Sequence, residues 1–271
     1  MTIETPFAAE GRELAQLLRK KAPDEEIQPV IERIHSLALD QGIDPLVAST
    51  DVFTTAVLWI GSKSLSHVLA AIERTKDRLL DAGAASEPAR AQIISAVMAY
   101  WSAQPGVAVS IVEKLLNYSI LSPTAVIQWA LITYAGKTRG EALAQAHVYE
   151  MVFNTVIKVT GRVRQVVQSA TPQATNGQDV DMDGEEIKQG EIKAMRELFK
   201  VMEDALVAWA AGSKDEMIED SQEDAEQRNK LIQRWGNRWL RVFRRRSAIE
   251  EAFLLEAAKI KPEPVAANGD A

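Results

Sequence analysis

The chain has 271 residues, 46% of them apolar and 25% charged, and carries a formal net charge of −7. This length and apolar content suffice to bury a sizeable core, and the acidic balance argues against a general nucleic-acid coat. The lack of cysteine excludes disulfides, thiolate metal sites and cysteine nucleophiles, and it suits a reducing compartment.

Ala, Leu, Glu, Gln and Arg are abundant, and no stretch alternates apolar and polar residues as a strand would, so the fold class is all-α. The N-terminal MTIETPFAAEGRELAQ has neither the basic nor the apolar region of a signal peptide. The apolar runs are too short and broken for a transmembrane helix.

The spacing predicts a first helix over Phe7–Lys21, with Leu14, Leu17 and Leu18 on one side and Ala22-Pro23 as its stop. Asp24 caps a second helix carrying Ile27, Val30, Ile31, Ile34, Leu37 and Leu39, closed by Gly42-Ile43-Asp44-Pro45. A third runs over Ser49–Trp59, and Gly61-Ser62 separates it from a fourth, Ser64–Asp81. That fourth helix is amphipathic, with Leu65, Val68, Leu69 and Ile72 opposite Glu73, Arg74, Lys76, Asp77 and Arg78. Ser86 and Pro88 start a fifth through Ile93, Val97 and Trp101, and Gln104-Pro105-Gly106 turns into a sixth that ends near Asn117. Ser122-Pro123 supplies an N-cap and a first-turn proline for the seventh.

A long helix follows from about Glu141 to Gln168. Residues 169–184 are polar, contain proline and glycine, and predict a disordered loop. Helical pattern resumes from about Glu185 to Gly212, and again from about Gln222 to Arg246 with an extension to Lys259. Residues 260–271 predict a frayed tail, and residues 1–259 a single domain with one inserted loop. From Val52 to Trp129, three blocks each hold a tryptophan and are separated by Gly, Pro or Ser-Pro. This is the pattern of antiparallel helical hairpins stacked in a solenoid, which offers surface to partners more readily than a pocket for chemistry.

The sharpest local feature is LIQRWGNRWLRVFRRR, flanked by acidic stretches at Asp179–Glu191 and Asp215–Glu226. Arg234, Arg238, Arg241 and Arg245 share one helical side, and Leu231, Ile232, Trp235, Trp239, Val242 and Phe243 form the apolar side. Such arginines can grip phosphates or a partner, since guanidinium forks match oxyanions. The same pattern also fits a packed helix whose arginines are solvated or paired with the acidic stretches.

Elsewhere the sequence nominates no catalytic, cofactor-binding or metal-binding residue. His35, His67 and His147 are too far apart to predict a metal cluster, and His67 reads as a hydrogen-bonded residue in a helix seam. Ala135-Gly136-Lys137-Thr138 fails the phosphate-loop pattern because Leu131 stands where its first glycine belongs. His147 and Glu150 lack the second copy that a di-metal carboxylate site requires.

Lys63-Ser64-Leu65-Ser66-His67 resembles a stretch of the third helical-repeat domain of large subunits of nuclear cap-binding complexes, the type 2 MIF4G-like domain. So do Val97–Trp101 with Gln104-Pro105, and Val112–Leu116 leading to Trp129. Ala9–Lys21 with Pro23–Glu26 resembles the opening of that domain. The likeness runs from about Phe7 to Phe253, is strongest over Phe53–Val159, and is nearest to filamentous-fungal members. It implies a HEAT- or ARM-type stack that supports a small RNA-recognition subunit, which in turn binds the 7-methylguanosine cap of nuclear transcripts. Capped RNA would be met through that subunit. Splicing, export and decay factors, including those of nonsense-mediated decay, are the further partners implied, and the location implied is the nucleus with cytoplasmic shuttling.

The family pattern also implies two upstream helical domains, so the chain reads as a fragment, an isolated domain or a truncated gene product. Where animal members carry a long charged insertion, this chain has only residues 169–184. The alternatives are a helical-repeat scaffold of translation initiation or nuclear transport, or direct RNA binding by the Arg234–Arg246 face.

Overall fold

In the computed structural model, residues 6–169, 182–212 and 222–259 are described. Residues 170–181 of the expected loop and the expected tail, 260–271, lie outside them. Helices account for the regular structure, and no strand occurs among the described residues. The chain divides into two compact units, one of residues 1–134 and 145–155, the other of residues 135–144 and 156–271.

The first unit begins with α1 (Ala8–Lys20), α2 (Asp24–Asp40) and α3 (Pro45–Ile60). Asp44 caps α3 by accepting from the amides of Leu46 and Val47, and Pro45 occupies its first turn. The cap starts α3 earlier than the apolar pattern predicts, because Pro45 at the first helical position has no amide to satisfy. Buried residues lie around much of α3, from Ala48 and Val52 to Phe53, Ala56 and Leu58, because α1, α2, α4, α5 and α6 all pack on it.

The predicted fourth helix is two helices, α4 (Leu65–Arg74) and α5 (Lys76–Ala85). Thr75 divides them at φ −110° and ψ 13°, its hydroxyl donating to the carbonyls of Ala71 and Ile72. A threonine hydroxyl bonding back to its own turn competes with the helical ladder, a contest that periodicity does not register. Before α4, Gly61 is required by close approach: a Cβ there would lie 2.4 Å from Val68 Cα.

The unit continues with α6 (Glu87–Tyr100), α7 (Pro105–Asn117) and α8 (Pro123–Gln128). Ser86 and Ser122 cap α6 and α8 as their positions predict. Trp129–Tyr134 is a π-helical turn, in which the Trp129 indole stacks on Tyr134 at 4.8 Å. Its N–H donates to Ser95 Oγ at 2.8 Å. Trp129 is buried, whereas Trp59 and Trp101 are half-buried, so the tryptophans are only partly core.

A short α9 (Ala135–Lys137) and a 3-10 turn (Glu141–Ala144) belong to the second unit. The predicted helix from Glu141 therefore begins as α10 (Ala146–Ser169), after that turn. Its Val148, Met151, Val152 and Thr155 are buried in the first unit's part, and Val156, Thr160, Val163 and Val167 in the second's. α11 (Met182–Ala211) and α12 (Gln222–Lys259) complete the chain. They pack along each other, with Met195, Leu198, Phe199, Met202 and Leu206 buried on α11 and Ile232, Trp239, Leu240 and Phe243 buried on α12. Phe199 meets Phe243 edge to face at 5.3 Å.

Candidate functional site

The basic helix is α12, and its position against α11 is set by a glycine. A Cβ at Gly236 would lie 2.7 Å from the Trp209 carbonyl carbon and the Ala210 nitrogen, so only glycine admits the α11 backbone at this depth. Two amides beside it satisfy the open end of α11. Gln233 Nε2 donates to the Ala211 carbonyl at 3.1 Å, and Asn237 Nδ2 donates to the carbonyls of Gln233 and Ala210 at 2.8 and 3.4 Å.

This crossing sorts the arginines of α12 into two sets. On the flanks that face neighbouring helices, Arg244 donates to Glu203 at 2.9 Å, Arg246 lies against Glu250, and Arg228 stands 3.7 Å from Glu141. Arg234, Arg238, Arg241 and Arg245 point the other way and are exposed. None of these four pairs with a carboxylate among the described residues. Arg241 Nε donates to the carbonyl of Asn237, and Arg238 sits 5.3 Å above the Trp235 ring. Lys230, Gln233, Arg234, Asn237 and Arg241 line a shallow depression of about 310 Å³ with no acidic residue in its wall among the described residues.

The predicted apolar side needs correction. Ile232, Trp239 and Phe243 are buried and Trp235 is half-buried, but Leu231 and Val242 are exposed. Both sit a quarter-turn off the buried stripe, on the arginine side, and Leu240 joins the core in their place. Apolar periodicity alone could not separate the two flanks, because each continues the same three-to-four spacing.

The histidines do not converge. His67 is exposed, not in a seam; it accepts from or donates to Ser64 Oγ through Nδ1 at 2.7 Å, beside the Ser64 cap of α4. His147 is held below the usual imidazole range, first by burial, against which the Glu150 charge acts. His35 Nε2 lies 2.9 Å from Ser49 Oγ, at a depression of about 270 Å³ that also touches Asp24, Gln28, Arg78 and Asp81. Ser49 Oγ donates to the Leu46 carbonyl, and no carboxylate bonds the imidazole among the described residues. The pair thus lacks the orienting acid of a nucleophilic triad. Among the described residues no group of three or more His, Asp or Glu could hold a metal ion. No helix there is long and apolar enough to cross a membrane.

Residues 2–252 match a family described as MIF4G like. The chain is similar to the nuclear cap-binding protein subunit 1 of Schizosaccharomyces pombe, with 24% identity over 164 residues, 60% of this chain and 20% of that protein. The protein of the same name from Xenopus tropicalis is 23% identical over 157 residues, covering 56% and 19% of the two chains. Nuclear cap-binding protein subunit 1-A of Xenopus laevis is 22% identical over 157 residues, with the same shares. The chain spans about a fifth of the length of these curated relatives. With an all-α fold of packed helical neighbours and a match running over nearly its whole length, the chain belongs to the MIF4G-like family.

Proposed function

We propose that this chain is a scaffold domain of the large subunit of a nuclear cap-binding complex, with a binding and not a catalytic role. The observation that carries the reading is the family match over residues 2–252. The names of the relatives support it. Because the match crosses both compact units, residues 1–259 are taken to act as one domain.

In this reading the chain supports a small subunit of RNA-recognition fold, which holds the 7-methylguanosine cap. A helical scaffold that favours the ordered, cap-competent form of that subunit raises its cap affinity by removing part of the ordering cost. The setting is nuclear, with roles in transcript processing, splicing, export and nonsense-mediated decay.

The test is recovery of the tagged chain from nuclear extract. It should co-purify with the small subunit and stay on 7-methylguanosine resin only when that subunit is present. Recovery with translation factors or transport receptors in its place, or retention of the chain alone on the resin, would overturn the reading.

A further inference from the structure

The outer face of α12 carries two interleaved seven-residue registers. Trp235, Val242 and Ile249 form one, and Leu231, Arg238, Arg245 and Ala252 form the other. Together they make the alternating four-and-three seam of a coiled-coil helix, with Arg234 and Arg241 at a flanking register also seven apart. This seam is separate from the stripe that packs on α11. Leu231 is 51% exposed, Val242 40% and Ile249 47%, and the arginines are exposed as well.

We infer that this seam docks an amphipathic acidic helix of a partner protein, which sets carboxylates against Arg238 and Arg245 and apolar side chains against Trp235, Val242 and Ile249. The inference does not depend on the cap-binding reading. Charge decides the occupant. A second copy of α12 would bring arginine against arginine, which disfavours self-pairing. Nucleic acid would account for the arginines but not for the aliphatic residues between them, since phosphates gain nothing from Leu231, Val242 or Ile249. Base stacking needs an open aromatic face, and Trp235 is half-buried beneath Arg238. A carboxylate-bearing helix uses both kinds of residue at once, and arginines with no carboxylate partner among the described residues can make bidentate pairs with it.

The stripe from Leu231 to Ile249 is about 27 Å long at 1.5 Å per residue, so a synthetic probe helix of about 25 residues covers it. The probe carries leucines along one register and glutamates seven apart along the other. Its binding to the full chain is followed by fluorescence anisotropy. The expected result is saturable binding that weakens with salt and drops at least about tenfold in the Arg238→Glu, Arg245→Glu double variant. Replacing the probe's glutamates with lysines should restore binding to that double variant and abolish it for the parent chain. Val242→Asp and Ile249→Asp should weaken the parent interaction too. All these positions are exposed, so each variant is expected to keep the parent's circular dichroism and melting.

Loss of the charge-swap rescue, or indifference to Val242→Asp and Ile249→Asp, would refute the docking seam. Binding of a single-stranded RNA oligomer by the parent, lost in the arginine variant, with no peptide binding, would assign the face to RNA instead. A further variant with Asp215, Glu216, Glu219 and Asp220 changed to their amides tests the chain's own acidic segment as occupant. If the probe binds only to that variant, the partner-helix proposal falls.

Discussion

Glu250 on α12 holds its carboxylate against the guanidinium of Arg164 on α10, with Nε donating to Oε2 at 2.8 Å and Nη2 to Oε1 at 3.2 Å. Glu250 is only 1% exposed. Arg246, one turn earlier on α12, brings its Nε within 2.8 Å of Oε1 as an ion contact without hydrogen-bond alignment, while its Nη2 donates to Thr160 Oγ1 at 2.8 Å. The Arg164 guanidinium also covers the Phe253 ring at 4.9 Å. Burying a carboxylate at this depth is costly unless cations and hydrogen-bond donors pair with it, so the three residues act as one unit.

Removing the acid leaves two arginines, with side chains 37% and 35% exposed, facing each other without the anion they share. Glu250→Ala is therefore expected to destabilise the second unit by about 1–3 kcal/mol, less than breaking a fully buried pair because water reaches both arginines. The urea midpoint, followed by tryptophan fluorescence, measures it. A loss under about 1 kcal/mol would mean that the site is hydrated like a surface pair.

The two arginine sets of α12 should behave differently. Arg234→Ala, Arg238→Ala, Arg241→Ala and Arg245→Ala each remove an exposed cation with no carboxylate partner among the described residues, and each should change stability by no more than about 0.5 kcal/mol. Arg246→Ala removes a contact to Glu250 and a hydrogen bond to Thr160, and should cost more than any of them. Equal effects across the five variants, measured by thermal melts, would contradict this sorting.

Gly236→Ala tests the helix crossing. The added methyl would fall 2.7 Å from α11 backbone atoms, and neither backbone can yield as a flexible side chain does. A loss of about 1–3 kcal/mol is expected, as for other overpacked contacts. Gly106→Ala is the matched control, since a Cβ there meets nothing within 4 Å.

Asp51 on α3 gives a pH signature. Burial pushes its carboxyl above the usual carboxylate range, although Gln92 Nε2 donates to it at 2.8 Å and opposes the shift. The folded state therefore holds this proton to higher pH than the unfolded chain does. Its contribution to stability declines as pH rises from the unfolded value, 3.8, through the raised folded one, and the charge remains a cost above that. Asp51→Asn keeps an acceptor for Gln92 and removes the charge. The variant should melt higher than the parent at neutral pH, and the difference should vanish near about pH 3, where Asp51 is largely protonated in the folded and the unfolded parent alike. A variant that melts lower at neutral pH would show that the carboxylate is not penalised by its burial.

Much of the fold was legible in the sequence because its punctuation is local. Ser86 and Ser122-Pro123 cap their helices as their side-chain chemistry dictates, since a cap bonds amides only two or three residues away, whereas Asp44-Pro45, read as the close of the second helix, proved also to cap α3. Thr75 escaped, because its hydroxyl bonds back within a helix whose apolar period continues unbroken. In the candidate site, the row of four arginines could be read from spacing alone. Leu231 and Val242 could not be placed, since their exposure depends on which flank of α12 meets α11.

The sequence by itself determined an all-α chain, most of its helix boundaries and the shared side of Arg234, Arg238, Arg241 and Arg245. All of these follow from interactions within a few residues. Only the tertiary structure decided that Gly236 is a crossing point, that Glu250 is buried between Arg164 and Arg246, and that some arginines of one helix are paired while others have no carboxylate partner among the described residues. These depend on where residues dozens of positions apart come to lie. A helix repeats its own geometry every turn, but the rotation at which it packs is chosen by its neighbours.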